Sequence, residues 1–428
     1  MINEATKKKG NARFCAARSV LRCTKDKAFS NLEIGNTLSN NKFTASDAAL
    51  YTFLVHGTLE RLLTLDYFID KLSDMGIESI DEKTKAVLRV GLYQLLFTDR
   101  IPPSAACNEA VNTANNMKLK SSGFINAVLR NASRQSSKLK EQITTLHENI
   151  KYSVSESIYK LIKKQYPVNY TEIFEALLSI EKLPIRVNTL KTTIDDLQKR
   201  LPGTEKNNLS PFGLVSTKSN SSDIIADIGS SFFIQSIGSQ YSTVLLAPES
   251  GQTVIDVCAC PGGKSLSAAI EMKNNGRVVS LDLHMNKLSL IKKSAERLGI
   301  SIIETVCNDA RNPIQKYIGT ADKVICDVPC SGLGEMSSKP EIRCKNIESF
   351  GKLPELQYNI LKSSVNYLKE NGILVYSTCT INKNENEGIV NRFISENPGY
   401  YIDEMKVFTP DVNGEGFFVC KIVRSNKE

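Results

Sequence analysis

Two cysteines stand where chemistry is possible. Cys330 follows a proline in Asp-Val-Pro-Cys-Ser-Gly (Asp327 to Gly332), and Cys379 lies in Ser-Thr-Cys-Thr (Ser377 to Thr380). Each comes at the end of an apolar run of strand character, in a turn of small polar residues. A thiolate in such a place is a strong nucleophile when nearby positive charge or dipoles lower its pKa. The chain holds only three histidines, His56, His147 and His284, so a Cys-His pair has few candidates. Methylation of cytosine at carbon 5 needs thiols and does not require a histidine. Carbon 5 is too weak a nucleophile to take a methyl group from a sulfonium. Addition of a thiolate at carbon 6 turns the ring into an enamine, and carbon 5 then attacks. A base afterwards removes the carbon 5 proton so that the thiolate can leave, which splits one hard step into easier ones. Two thiols at neighbouring strand ends would fit such a scheme, one attacking and the other helping to release the product. The plainer alternative is that free cysteines are small buried fillers, which is the expectation for Cys15, Cys23, Cys107, Cys307, Cys326 and Cys420.

A second constellation is Asp-Val-Cys-Ala-Cys-Pro-Gly-Gly-Lys-Ser, Asp256 to Ser265. It reads as the turn between a buried strand and a helix, where Gly262 and Gly263 allow close backbone approach and the first amides of the helix suit an anionic group. A P-loop requires glycine where Cys258 stands, and a dinucleotide loop requires G-x-G-x-x-G, so both fail. S-adenosyl-L-methionine fits better. It needs a tight turn for its amino-acid end and a carboxylate after the second strand for the ribose hydroxyls, and Asp282 in Ser-Leu-Asp-Leu supplies one. Asp309, after the third strand, is placed to meet the adenine amino group. Asp327 either faces the polar edge of an extruded base or turns toward the cofactor. The alternative is that the glycines merely turn the chain and the aspartates are solvated strand ends.

These residues need a scaffold that brings strand ends together. From about residue 239, strands and helices alternate: Thr253 onward, Gly276 onward, Ser301 onward, Asp322 onward and Gly372 onward read as strands. The helix after the second strand has Leu288, Ile291, Ala295 and Leu298 at helical spacing. This βαβα order predicts a parallel sheet with helices on both faces, whose ligands bind beyond the carboxyl ends of the strands. Residues 1–145 read as all-helical, with Phe14, Ala17 and Leu21 on one face of the first helix. Pro102 and Pro103 break the chain, and Ser104 is a candidate cap for the helix that follows. Residues 146–238 read as a linker and a small α+β segment, with Ser-Thr-Lys-Ser-Asn-Ser-Ser-Asp as a mobile loop. The expected division is therefore 1–145, 146–238 and 239–428.

Composition bounds the rest. The length of 428 residues exceeds one ordinary core. Eleven cysteines are an odd number, and no C-x-x-C pair occurs, which argues against a disulfide framework and against structural zinc. No metal is expected. No apolar run is long enough to cross a bilayer, and the start of the chain lacks the apolar stretch of an export signal. A cytoplasmic protein without a membrane partner is expected. The net charge of +8 decides nothing by itself.

The motifs together resemble the Nop2/Sun family of RNA cytosine-5 methyltransferases. Asp256 to Ser265 looks like its cofactor loop, Asp327 to Cys330 its Asp-x-Pro-Cys motif, and Thr378-Cys379 its Thr-Cys motif. Lys-Pro-Glu-Ile-Arg-Cys-Lys (Lys339 to Lys345) and the tail Gly414 to Arg424 also fit. Leu54 to Asp70, Val90 to Val111 and Gly123 to Asn131 resemble the NusB-type helical RNA-binding domain fused to the bacterial branch that modifies 16S ribosomal RNA. Ile185 to Lys191 resembles the strand that opens the intervening RNA-binding segment. The resemblance implies a NusB-like helical domain, a small α+β segment and a Rossmann-like α/β methyltransferase domain. It implies Cys379 as the attacking thiol and Cys330 as the group that assists release. Cys258, Ala259, Cys260, Pro261, Gly262, Gly263, Lys264, Asp282, Asp309 and Asp327 become cofactor contacts by the same resemblance. The implied partner is 16S rRNA, with tRNA as a second substrate reading and a non-catalytic RNA-binding factor as a third. A monomer is the expected state. Two departures stand out: Cys260 replaces the family's usual alanine, and Ser236 stands where an aspartate commonly follows the glutamine.

Overall fold

The structure, a computed structural model, describes residues 8–9, 11–178, 182–216 and 229–425. The chain divides into two compact units, one of residues 1–167 together with 336–347, the other of residues 168–335 together with 348–428.

The first unit is helical. Asn11 caps α1 (Ala12–Lys25) and Thr44 caps α2 (Ala45–Glu60), each by accepting a backbone N–H of the first turn. The long apolar run after Thr44 is not one helix. It breaks at Arg61, and α3 (Leu62–Leu72) continues from there. Asp81 caps α4 (Glu82–Phe97), the central helix, which is buried almost all round. Gly57 of α2 lets the ring of Tyr93 on α4 approach so closely that a Cβ there would lie 1.9 Å from the tyrosine oxygen. The next helix, α5 (Pro103–Asn116), begins one residue earlier than its expected cap. Pro102 is the capping residue and Pro103 the first helical one, because a proline loses nothing where the N–H has no helical partner. Ser104 is therefore inside the helix. On α1 the buried stripe runs through Cys15, Ala16, Val20 and Cys23, with Ala17 buried and Phe14 and Leu21 only partly covered. Residues 336–347 complete this unit. Arg343, wholly buried, donates from Nε to the Met336 carbonyl and from Nη1 to the Tyr152 carbonyl, both at 3.1 Å. Glu341 accepts from Ser30 Oγ at 2.6 Å.

Among its described residues, the second unit holds two sheets. The smaller is antiparallel, with β1 (Pro184–Val187), β2 (Thr204–Lys206), β3 (Gly213–Ser216) and β4 (Phe232–Ile234) in the order β2-β3-β1-β4. The expected mobile loop begins at Ser216, the last residue of β3; residues 217–223 lie outside the described residues.

The larger sheet has seven strands: β5 (Thr253–Asp256), β6 (Arg277–Asp282), β7 (Ile303–Cys307), β8 (Ala321–Asp327), β9 (Leu368–Thr378), β10 (Tyr400–Phe408) and β11 (Phe417–Arg424). Their order is β10-β11-β9-β8-β5-β6-β7. The five strands from β9 to β7 are parallel, as expected, but β11 runs antiparallel to both β9 and β10. The sheet is thus mixed rather than purely parallel. The link from Phe408 to Phe417 is too short for a crossover, so the chain can only turn back on itself.

Residues on successive strand positions point to opposite faces. Ile255, Val279, Cys326, Leu374 and Phe418 enter one core, against helices Leu353–Ser364 and Glu387–Glu396. Val254, Val278, Ile325, Val375 and Val419 enter the other, against helices Ile237–Leu246, Gly263–Glu271 and Met285–Leu298. The predicted face Leu288, Ile291, Ala295 and Leu298 is buried. The strand order reverses between β5 and β8, which places a crevice beyond their carboxyl ends.

Candidate active site

All the singled-out aspartates and thiols fall on this one edge of the sheet. Asp256 ends β5, Asp282 ends β6, Asp309 follows β7 by two residues, Asp327 ends β8, and Cys379 comes directly after β9. Strands β8 and β9 are paired neighbours, with Asp327 opposite Ser377. That register carries the turns after them to the same place. Cys330 Sγ and Cys379 Sγ are 3.2 Å apart, both thiols partly exposed and unbridged. This is hydrogen-bond distance and far longer than a disulfide.

The cofactor-type loop runs from β5 into helix Gly263–Glu271. Gly262 has φ +114°, a left-handed conformation that a side chain rarely adopts, and a Cβ there would press on Ile291 at 3.1 Å. Ala259 is buried beneath the loop and its N–H donates to the Leu281 carbonyl, while Cys260 donates its N–H to Asp282 Oδ2 at 3.1 Å. Pro261 continues the turn. Asp282 Oδ1 accepts the His284 N–H at 2.9 Å. Each Asp282 oxygen thus takes one backbone donor and keeps acceptor capacity toward the open edge. Ribose hydroxyls fit that arrangement, so the residues present suit S-adenosyl-L-methionine. Asp309 is bound by its near neighbour, with Arg311 donating to both carboxylate oxygens. Those bonds hold the Asp309 carboxyl below the usual range.

Lys264 has 9% of its side chain exposed and is committed to Asp327 at 2.7 Å, with Phe417 beneath its ammonium at 5.2 Å. The other Asp327 oxygen accepts from Ser377 Oγ at 2.6 Å. Asp327 thus ties the loop lysine to the end of β9. Asp256 is buried and accepts from Ser265 Oγ at 2.6 Å, which in turn lies 2.8 Å from Ser280 Oγ. Desolvation pushes the Asp256 carboxyl up to about 7.

The remaining cysteines separate from the pair. Desolvation, reinforced by nearby carboxylates, raises Cys258 well above the ordinary thiol value and Cys260 to about 12. Both stay protonated thiols, poor nucleophiles at neutral pH. Cys15, Cys23, Cys107, Cys326 and Cys420 are buried as expected, but Cys307 is not. It is exposed at the end of β7, its Sγ 3.4 Å from the Leu283 carbonyl. Strand β7 is a sheet edge with a half-covered face, so its last residue has little to bury against.

Ser236, the departure from the expected aspartate, caps helix Ile237–Leu246 by accepting the Ser239 N–H. Its neighbour Gln235 accepts from Ser267 Oγ at 2.8 Å, fixing the helix that follows the glycines.

Sequence reasoning gave no role to Ser331, Gln357, Thr380, Asn382, Glu385 and Asn386. These residues are buried behind the two thiol turns and hydrogen-bonded to one another. A signal existed: Asn382-Lys383-Asn384-Glu385-Asn386-Glu387-Gly388 places side-chain acceptors and a glycine directly after a candidate nucleophile.

Against known families, a model described as 16S rRNA methyltransferase RsmB/F matches residues 243–422, and a NusB family model matches residues 10–134. The chain is 30% identical over 452 residues to the probable ribosomal RNA small subunit methyltransferase B of Bacillus subtilis (strain 168), covering 97% of this chain and 99% of that protein. It is 30% identical to ribosomal RNA small subunit methyltransferase B of Vibrio cholerae serotype O1, over 86% of this chain and 87% of that one. Among solved structures, PH0851 matches with a TM-score of 0.79 at 23% identity, over 97% of this chain and 99% of its own. NSun6 from Pyrococcus horikoshii with SFG gives 0.57 at 21% identity, over 64% of this chain and 99% of its own. These two likenesses concern the fold.

Proposed function

The chain belongs to the ribosomal RNA small subunit methyltransferase B family, and from that premise we propose that it methylates carbon 5 of a cytosine in 16S rRNA through a covalent cysteine–cytosine adduct. The observation that carries this reading is the Cys330–Cys379 pair, 3.2 Å apart at neighbouring strand ends, on the same sheet edge as the glycine loop and Asp282.

S-adenosyl-L-methionine, when bound, supplies an electrophilic methyl group on a sulfonium. Gly262, Gly263 and the first amides of the following helix hold its amino-acid end. Asp282 holds the ribose. Asp309, whose carboxylate Arg311 already holds, would meet the adenine. Cys258, Ala259, Cys260 and Pro261 shape the loop, and the Lys264–Asp327 pair closes it toward the thiols.

The target base has to be unstacked before it reaches the edge, which costs least in a single-stranded loop. Cys379, as its thiolate, would add to carbon 6, and the electron pair shifted to carbon 5 would take the methyl group, whose bond to the sulfonium sulfur breaks so that the cofactor leaves as a neutral thioether. A base removes the carbon 5 proton. The pair left behind re-forms the ring double bond as the Cys379 thiolate departs, with Cys330 beside it assisting that release. The helical unit grips the surrounding RNA, mainly through phosphate contacts. The protein acts as a monomer.

The test uses Cys330→Ala and Cys379→Ala proteins incubated with small-subunit rRNA and cofactor, then run on a denaturing gel. An RNA-linked band from Cys330→Ala alone is the expected result. A band from Cys379→Ala alone would reverse the two roles. No band from either, with wild type also failing to methylate this RNA, would overturn the assignment in favour of tRNA or of RNA binding without catalysis.

A further inference from the structure

Glu385 is 0% exposed, and its hydrogen-bond partners are N–H donors rather than a lysine or arginine. Its Oε2 accepts the Ser331 backbone N–H at 2.8 Å and Gln357 Nε2 at 2.9 Å, and its Oε1 accepts Asn382 Nδ2 at 2.9 Å. Ser331 is the residue after Cys330. Asn382 lies three residues after Cys379. Gln357, from helix Leu353–Ser364, also donates to the Pro329 carbonyl at 3.0 Å. One carboxylate therefore receives donors from the turn of each thiol and from the helix behind them.

Neighbouring contacts join the same two turns. Ser331 Oγ and Thr380 Oγ1 are 2.8 Å apart, and the Gly334 N–H donates to the Cys379 carbonyl at 3.1 Å. Asn386 accepts from Thr378 Oγ1 and donates to the Thr380 carbonyl, at 2.6 and 2.9 Å. The Tyr376 hydroxyl donates to the Glu385 carbonyl at 2.7 Å.

A carboxylate buried with no cation among its described hydrogen-bond partners is costly unless its lone pairs are taken up. Here three donors use them. A neutral glutamine has a single acceptor oxygen and cannot satisfy all three. Glu385 touches neither thiol, so its effect must pass through the backbone of the turns.

We propose that Glu385 is the positioning residue that holds Cys330 and Cys379 within thiol-to-thiol contact. Its effect on turnover rests on the methyltransferase reading above; its effect on the thiols does not.

The experiment follows disulfide formation between Cys330 and Cys379 in the full chain after addition of diamide, resolved by peptide mass spectrometry. The two thiols lose their hydrogens to the azo bond of diamide as the S–S bond forms, so the rate reports how often the sulfurs meet. Glu385→Gln should slow this cross-link by about 10-fold or more, given the steep dependence of such steps on sub-ångström placement. Its kcat for RNA methylation should fall in parallel, with the KM for cofactor unchanged.

Gln357→Met serves as the milder variant. It removes one donor and also a buried oxygen that has no partner, so folding should survive, and it should slow the cross-link by about 3-fold. Glu385→Asp, which keeps the charge, should recover part of the loss. A folded Glu385→Gln protein that cross-links at the wild-type rate overturns the proposal, even if methylation drops. If Glu385→Gln fails to fold, a wild-type rate in Gln357→Met overturns it. A slowed cross-link in a protein whose wild type methylates no RNA sinks the enzymatic reading and leaves the positioning role standing.

Discussion

The two halves of the functional edge are built differently. On the thiol half, at the ends of β8 and β9, the thiols and Asp327 are partly exposed, but Ser331, Gln357, Thr380, Asn382, Glu385 and Asn386 behind them are buried and hydrogen-bonded to one another. Asp327 is shared between Lys264 and Ser377, and Glu385 between three donors. On the other half, at the ends of β6 and β7, Asp282 and Asp309 are partly exposed and held only by residues just beside them in sequence or by the glycine loop. The thiol half is tied together by the protein's own side chains, which is what the proposed reaction, sensitive to sulfur placement, would require. The carboxylate half keeps acceptors open, as the proposed cofactor site would require.

The largest expected effect separates the halves directly. Asp282→Ala should weaken binding of the demethylated cofactor by about 10- to 100-fold, the loss of one or two hydrogen bonds to a charged acceptor. Titration calorimetry measures it. The ligand-free melting temperature and the diamide cross-link rate should stay near wild type. A parallel collapse of both would show that the halves are one cooperative network and would break the comparison.

The seam between them gives the next effect. Asp256 ends β5, and its carboxyl is raised to about 7 from an ordinary 3.8. Between those values the folded chain holds a proton that the unfolded chain has released. Stability contributed by this group is therefore complete below about pH 4 and is lost as pH rises through 7, by up to about 1.4 kcal/mol per pH unit. Thermal melts across that window should show this slope in wild type and its loss in Asp256→Asn. Equal slopes would place the carboxyl in water and contradict its burial.

The smallest effect concerns Ser236. Serine and aspartate cap helices about equally well, so Ser236→Asp should change stability by less than about 0.5 kcal/mol, whereas Ser236→Ala should cost about 1 kcal/mol. Chemical denaturation distinguishes the two. If Ser236→Asp also tightens cofactor binding, the carboxylate half extends as far as helix Ile237–Leu246.

Much of this edge was legible in the sequence because strands advertise themselves. Short apolar runs ended by Asp256, Asp282 and Asp327 mark strand termini, and alternation with helices orders those termini along one side of a sheet. The same reasoning could not see pairing. Asp309 was legible as a strand-end carboxylate but not its bonds to Arg311, and Glu385 received no reading at all, because local sequence carries no information on which donors will surround a carboxylate. Cys307 looked like a filler since burial depends on the strand's place at the edge of the sheet, which sequence order does not reveal. The antiparallel return of β11 needed the length of one connection to be weighed against the alternation that precedes it. Nor does anything in Lys-Pro-Glu-Ile-Arg-Cys (Lys339 to Cys344) announce that a segment flanked by catalytic-half strands packs among the helices of the first unit.

That excursion sets an order of events on the ribosome. The pocket that takes Arg343 is lined by residues synthesised long before it, such as Ser155 and Tyr152, and Ser30 waits for Glu341 across 311 positions of chain. At elongation rates of about 5–20 residues per second, the helices of the first unit emerge early and remain incomplete for many seconds. The loop-closure cost of that span falls when the segment docks and is offset only by the contacts it then makes. The amino-terminal helices thus mature late, in the same interval as the strands that carry the two thiols.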